Sequence, residues 1–495
     1  MKEKLQMTVL ECAILGSALC GAILIAGCST TGALDKMPIT TSSDKALEYY
    51  LQGRELAEKL RGQESRQYFQ KAVDEDSDFA VAYLQLALAQ PTVKEFFDSF
   101  YKAKDLADKV SEAEQMWILG VEAGLISGDP TGQLGYFQKL VELYPNDERA
   151  HNLLAGNYFA TLDWELAIEE YERALQINPN YSQPYNQMGY AYRFLERYDG
   201  AERAFKKYIE LIPNDPNPYD SYAELLMKMG RYDESLEQYK AALDVNPDFV
   251  LSYLGIASNL NFKGQHKKAR NQLQIMYDEA KDDGQRRPAL RAMAFSYIDE
   301  GDFDNALERY DRQYALAEAI GDTFAMAADM VLMGFALVEV EGREREALRK
   351  FETAAAMVQA SSLSDNTKAV DSRGHFYNAC RAYVAMGEIE QARVNASEFR
   401  ARAESAQNGN LIKAACQLDG LIALREGNFD LAIEKLKQSN LLNPYNLFFI
   451  GKAYEGKGDR NNAKVYYKKA AYFNAINNSP QACIRLKAVN LTEAM

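Results

Sequence analysis

At 495 residues with 47% apolar side chains, the chain is long enough to bury a sizeable core, and its formal net charge of −15 comes from 71 Asp and Glu against 56 Lys and Arg. That balance excludes nucleic acid as a partner, because binding phosphate requires a concentrated basic face. With three histidines, His151, His266 and His375, and no two of them within four residues, paired-histidine metal spacing is excluded as well.

Residues 1–27 begin with a short charged head, Lys2 and Lys4, diluted by Glu3. They continue, past Glu11, into the uncharged run CAILGSALCGAILIAG at 12–27. Its 16 residues are short for a membrane span and suit a signal peptide. The run ends Ile25-Ala26-Gly27-Cys28, which resembles the lipobox of bacterial lipoproteins. The resemblance implies cleavage before Cys28, a diacylglyceryl group on its thiol, and membrane attachment through that anchor. Ser29 is not the aspartate that retains such proteins at the inner membrane, so the expected location is the cell envelope, at the outer membrane facing the periplasm. The alternative open to the same residues is one uncleaved anchor helix over 7–26. Polar, small residues then make 28–45 the lipidated cysteine and a flexible tether.

From residue 46 a 34-residue step organises the chain, with unit starts at 46, 80, 114, 148, 182, 216 and 250. In the first unit Gly53, Leu56, Phe69 and Ala72 hold positions 8, 11, 24 and 27. The second is degenerate: it keeps Tyr83, Leu86 and Ala87, but Pro91 cuts its first helix, and 90–100 reads as an exposed aromatic loop. In the third, Trp117, Phe137 and Pro145 remain while Gln133 replaces the alanine of position 20, which predicts distorted packing. The fourth is clean. His151, Leu154, Ala155 and Tyr158 fall at i, i+3, i+4 and i+7, one face of a helix; Ala167, Tyr171 and Ala174 draw a second stripe, and Pro179 ends it. Small residues at 155 and 167 let the two helices of the pair approach closely.

The skeleton repeats in Tyr185, Met188, Gly189, Tyr192, Ala201, Phe205 and Pro213, then in Tyr219, Tyr222, Ala223, Leu226, Ser235, Tyr239, Ala242 and Pro247. Tyr253, Ile256, Ala257, Leu260 and Ala269 carry it once more. This pattern resembles the tetratricopeptide repeat family. The resemblance implies an all-α fold, an α-solenoid of about eleven helical hairpins wound into a right-handed superhelix, with the regular array over 46–283.

KDDGQRRP at 281–288 breaks the rhythm. Thereafter the position-20 alanines, Ala306, Ala347, Ala392, Ala432 and Ala463, follow Ala269 at spacings of 37, 41, 45, 40 and 31, so 284–475 is an array of mostly longer repeats. Residues 476–495 read as a solvating cap helix, since an end repeat has no neighbour on its outer face. Charge divides the chain near the same place: 28–283 carries 27 basic and 42 acidic residues, 284–495 carries 27 of each. A basic peptide suits the acidic half. Of six cysteines, Cys380, Cys416 and Cys483 lie in the array, an odd number that is not a disulfide framework.

No arrangement for catalysis, cofactor or metal is found. There is no nucleophile elbow and no glycine-rich phosphate loop; DFDNA at 302–306 lacks the glycine and distal glutamate of a calcium loop and reads as a helix cap, and in DPNPYD at 215–220 Asn217 is the expected N-cap. What remains is a surface. At 100° per residue, positions 2, 5, 9 and 12 of each first helix lie well round from its packing stripe, and in the resembling family these line a concave groove. Here they include Arg149, Asn152 and Phe159; Asn186, Tyr190 and Arg193; Asp220 and Glu224; and Ser258 and Asn261. Amides and aromatics suit an extended peptide, so the expected function is a non-catalytic scaffold that binds a protein or peptide in this groove. The second reading is a glycan-binding or secretion- and assembly-accessory envelope lipoprotein, for which Trp117 and Trp164 would be the sugar platforms.

Overall fold

The computed structural model describes residues 36–90, 93–363, 365–406 and 408–495. Cys28 and the signal-like run before it lie outside the described residues. Among those described, the chain forms 25 α-helices and no strand, an α-solenoid of hairpins packed side by side. The first seven hairpins are Asp44–Glu58 with Gly62–Glu75, Ala80–Leu88 with Val93–Asp105, Glu112–Val121 with Pro130–Leu143, Glu148–Ala160 with Trp164–Ile177, Ser182–Phe194 with Tyr198–Leu211, Pro216–Lys228 with Tyr232–Val245, and Val250–Phe262 with His266–Asp278. The next five are Asp283–Glu300 with Phe303–Ala319, Thr323–Val338 with Glu344–Ala360, Asp365–Met386 with Ile389–Ser405, Gly409–Arg425 with Phe429–Lys437, and Pro444–Gly456 with Arg460–Ala471. Ser479–Ala494 closes the chain. The described residues thus form twelve hairpins, in keeping with the expected solenoid of about eleven.

The register read from the sequence is the packing register. Position-24 aromatics Phe69, Tyr171, Phe205 and Tyr239, with Tyr310, Phe351 and Tyr467 of the later hairpins, are among the largest fully buried side chains. Each of the first three faces a small residue at position 8. A Cβ placed on Gly189 would meet the Phe205 ring at 2.7 Å, and one on Gly53 would meet Phe69 at 2.8 Å, both inside van der Waals contact. The third hairpin is distorted where expected: Glu122–Ile126 is a π-helical turn. Gln133 fills the space opposite it, donating to the Gly120 carbonyl at 3.1 Å and accepting from Asn157 at 2.9 Å.

Three expectations are corrected. Residues 93–105 are a helix rather than an exposed loop, because the apolar face of Phe96 and Phe100 packs on the N-terminal core and Phe100 is fully buried. The cap in DPNPYD is Asp215, which accepts from the Asn217 amide at 3.0 Å and places Pro216, not Pro218, first in the helix. Within the segment expected as a tether, 36–43 is held by three carboxylates. Asp147 accepts from the Met37 amide at 2.8 Å, Glu114 from Thr40 at 2.8 Å, and Asp76 from Ser42 at 2.8 Å.

The C-terminal end turns back into the array. The Lys228 ammonium donates to the Phe473 carbonyl at 2.7 Å, Tyr232 to Asn474 at 3.1 Å, and the Asn477 amide to the Ser258 hydroxyl at 3.1 Å. Ser479–Ala494 covers Tyr467, Ala470 and Ala471 of the twelfth hairpin and also buries Ala482, Cys483, Ile484 and Ala488 against Ala294, Phe295 and Ile298 of the eighth. Its Arg485 reaches the buried Asp299 at 2.6 Å.

Candidate functional site

First helices of successive hairpins present their second, fifth, ninth and twelfth residues on one face, and the structure sorts the predicted groove residues on that face into three groups. Arg149 and Asn152 belong to the N-terminal end, where the first five hairpins surround a cavity of 340 Å³. Arg149 pairs there with Glu58 at 2.8 Å and with Glu148 at 2.9 Å, joining the first hairpin to the fourth. Asn152 lines the cavity with Trp117, Tyr181 and Gln183. The Asn152 Oδ1 and Trp117 Nε1 atoms are buried and have no hydrogen-bond partner. Such an atom costs about 1–3 kcal/mol while it stays unpaired.

Tyr190, Arg193, Asp220 and Glu224 form the second group, and they are tied to one another across hairpins five, six and seven. Tyr190 donates to Ser221 at 3.3 Å, Arg193 pairs with Glu224 at 2.8 Å while lying 4.9 Å from the Tyr190 ring centre, and Asp220 accepts from Ser252 at 2.7 Å. Asp220 is buried. Burial pushes its carboxyl up to about 7; Ser252 opposes the shift and nearby Glu224 adds to it. Asn186 is buried beside this group with its Oδ1 unpaired, and Phe159 packs on Phe194, 6.0 Å between ring centres.

The third group, Ser258 and Asn261, is covered by the chain's own 473–485. The groove is therefore continuous in register but not continuously open, and Arg149 and Asn152 mark its open N-terminal part. Sequence reasoning missed Arg54 and Glu58 of that cavity wall. Arg54 stands at position 9 of the first unit, so extending the groove rule to the degenerate units finds it.

Other chemistry-bearing side chains serve the fold. His151 lies between Glu170, at 2.6 Å from Nδ1, and the Pro145 carbonyl, at 2.9 Å from Nε2. Cys380, Cys416 and Cys483 are free and buried, and burial pushes the Cys380 thiol up to about 12, out of the reactive range. Among the described residues no group of three or more His, Cys, Asp or Glu is placed to hold a metal ion, and no helix is long and apolar enough to cross a membrane. Trp164 is stacked on Phe194 at 4.9 Å between centres, which leaves it no free face for a sugar on that side.

Family models described as TPR repeat match residues 157–193, and models described as tetratricopeptide repeat match 182–215, 223–283, 289–323 and 444–477. No curated protein matches the chain. Similar solved structures include a MamA fragment from Desulfovibrio magneticus RS-1, with 16% identity over 34% of this chain and 93% of that one at a TM-score of 0.31. A thermophilic TPR protein of Thermus thermophilus shows 23% identity over 43% and 98%, at a TM-score of 0.29. YrrB, described as a TPR protein with an unusual peptide-binding site, shows 19% identity over 36% and 91%, at a TM-score of 0.28.

Proposed function

The chain is a member of the tetratricopeptide repeat family, and from that premise we propose that it is a non-catalytic scaffold, lipid-anchored through Cys28 at a bacterial cell envelope, that holds a protein or peptide segment in the N-terminal groove at Arg149 and Asn152. The observation that carries this reading is that cavity, whose lining includes Asn152 and Trp117, residues whose side-chain oxygen and indole N–H are buried and have no hydrogen-bond partner. One is an acceptor and the other a donor. An extended backbone entering the cavity offers the complementary N–H and C=O when the two side chains turn toward it, and pairing them removes the penalty of leaving them buried and unbonded.

The array's edge supplies an internal precedent. Amides of the extended stretch 36–43 already donate to Asp76, Glu114 and Asp147, carboxylates at the end of the first hairpin and the starts of the third and fourth. The net excess of acid over base in residues 28–283 favours a basic partner by long-range attraction. Protein or peptide binding is what the family's fold serves; the groove, the basic character and the anchor are this proposal's own.

Panning a random-peptide display library on the purified chain tests the groove. Enriched basic peptides are expected to lose roughly tenfold or more in affinity to a Trp117→Phe, Asn152→Leu double variant, which removes the two unpaired polar atoms at nearly constant volume. Peptides that bind the double variant as tightly as the wild type place the site elsewhere. For the anchor, labelled fatty acid is expected in the wild type and not in Cys28→Ala; equal labelling of both rejects lipidation at Cys28.

A further inference from the structure

The inward turn of the C-terminal end creates a second concavity, separate from the groove at Arg149 and Asn152. Hairpins five and six face hairpin twelve and the connections on either side of it across a cavity of 840 Å³, within the range of about 300–1,000 Å³ typical of small-molecule sites. Leu441, Leu442, Val465 and Tyr472 line it, and each is between 39% and 50% exposed. Scattered apolar side chains on a surface need no explanation, but four large ones gathered in one hollow mark a place where something apolar is covered.

Cations line the same cavity. Lys228, Lys468 and Lys469 are on its wall, and no carboxylate among the described residues forms an ion pair with any of the three. Lys228 is half-buried, 4.0 Å from the Phe473 ring centre, with a backbone carbonyl as its hydrogen-bond acceptor. Burial, with Arg193 nearby, pulls its ammonium down to about 8, as expected of a cation short of a counter-charge. The acids on the wall offer little relief: Glu224 is held by Arg193 at 2.8 Å, and Glu196 is exposed and not within ion-pair distance of Lys228.

The two side-chain amide oxygens on the wall are already bonded: Asn474 Oδ1 accepts from Tyr232 at 3.1 Å, and Asn478 Oδ1 caps the closing helix, accepting from the Gln481 amide at 2.8 Å. An apolar hollow with ammonium groups that lack a carboxylate partner fits a ligand with a long hydrocarbon body and one compact anionic end. We propose that this cavity binds a long-chain fatty acid, its tail against Leu441, Leu442, Val465 and Tyr472 and its carboxylate at Lys228.

The test uses the full chain, purified and stripped of lipid, titrated with cis-parinaric acid, a fluorescent eighteen-carbon fatty acid. Saturable fluorescence enhancement, reversed by oleate, is expected. Val465→Glu puts a carboxylate on a partly exposed wall position that the folded chain tolerates, and is expected to abolish the signal. Lys228→Met is expected to weaken the acid by about tenfold, the loss of one charge-assisted contact, while leaving the affinity for parinaric methyl ester unchanged. Circular dichroism of both variants and melting of Val465→Glu should match the wild type, and peptide binding at Asn152 should be unaffected, which separates this site from the scaffold function; Lys228→Met also loses the hydrogen bond to the Phe473 carbonyl, so its unchanged affinity for the methyl ester is the control for an intact cavity. The proposal is overturned by absent or unsaturable enhancement, by equal binding to wild type and both variants, or by acid and ester binding the wild type equally. Displacement by apolar peptides but not by oleate would likewise assign the cavity to a polypeptide.

Discussion

Asp220 is a carboxyl group that the fold holds nearer its acid form than water does. Its folded value of about 7 lies above the roughly 3.9 of an unfolded aspartate. Between those two values the folded chain binds more protons than the unfolded one, so stability falls as pH rises through that window and levels off above it. An asparagine side chain in place of the acid cannot titrate and can still accept from Ser252. Asp220→Asn is therefore expected to match the wild type near pH 4 and to exceed it at pH 8 by on the order of 3 kcal/mol, read from urea denaturation at the two pH values. A constant difference across pH would mean the carboxyl is not the titrating group. Position 5 of the unit identified Asp220 as a groove residue from the sequence. Its burial was not legible, because Ser252, which closes over it, belongs to the next hairpin.

At the scale of the element, one turn recurs with the repeat. Leu60, Gly128, Leu162, Glu196, Gly230 and Gly264 all occupy position 15, between the two helices of a hairpin, and all have positive φ, from 57° to 78°. The backbone leaves the first helix through a left-handed residue, which costs a side-chain-bearing residue roughly 1–2 kcal/mol and glycine almost nothing. Glycine gives back about 0.5–1 kcal/mol of that through its freer unfolded chain. Leu162→Gly is thus expected to raise stability by about 0.5–1 kcal/mol, and Gly230→Leu to lower it by a similar or larger amount. Both should appear as shifts of the urea midpoint at unchanged slope. If Leu162→Gly destabilises, packing of the leucine outweighs the turn. The glycines at 128, 230 and 264 were spaced in multiples of 34 and carried this signal, but Leu and Glu in the sister turns hid it. The stripes at positions 8 and 24 were plainly legible, since each is a local pattern within about twenty residues; the helix over 93–105 was not, because Pro91 breaks the local pattern and the face of Phe96 and Phe100 is buried only in the assembled N-terminal core.

At the scale of the molecule, period and composition predict a solenoid in which each unit meets only its neighbours, and most packing obeys that rule. What no period reveals is a contact between distant units. Arg149 reaches Glu58 across 91 residues, and Arg485 reaches Asp299 across 186. The second closes the groove of the seventh and eighth hairpins, since Arg485 also donates to the Asn261 carbonyl at 3.3 Å while Asn477 sits on Ser258. Asp299 is buried and has His266 Nε2 as its other partner, at 2.8 Å. Arg485→Met keeps much of the side-chain volume and removes the charge, leaving Asp299 with the imidazole alone. Breaking a buried pair from one side costs about 3–5 kcal/mol, and the remaining histidine contact puts the expected loss near the lower end. Because the tie is between the closing helix and hairpins seven and eight, the loss should be local. Hydrogen exchange is expected to quicken in Val250–Phe262, Asp283–Glu300 and Ser479–Ala494, and to stay unchanged in the fourth and fifth hairpins. Unchanged exchange in all of them would mean that apolar burial of Ile484 and Ala488, not the ion pair, holds the end in place, and the double variant Arg485→Met, Ile484→Ala would then be required to release it.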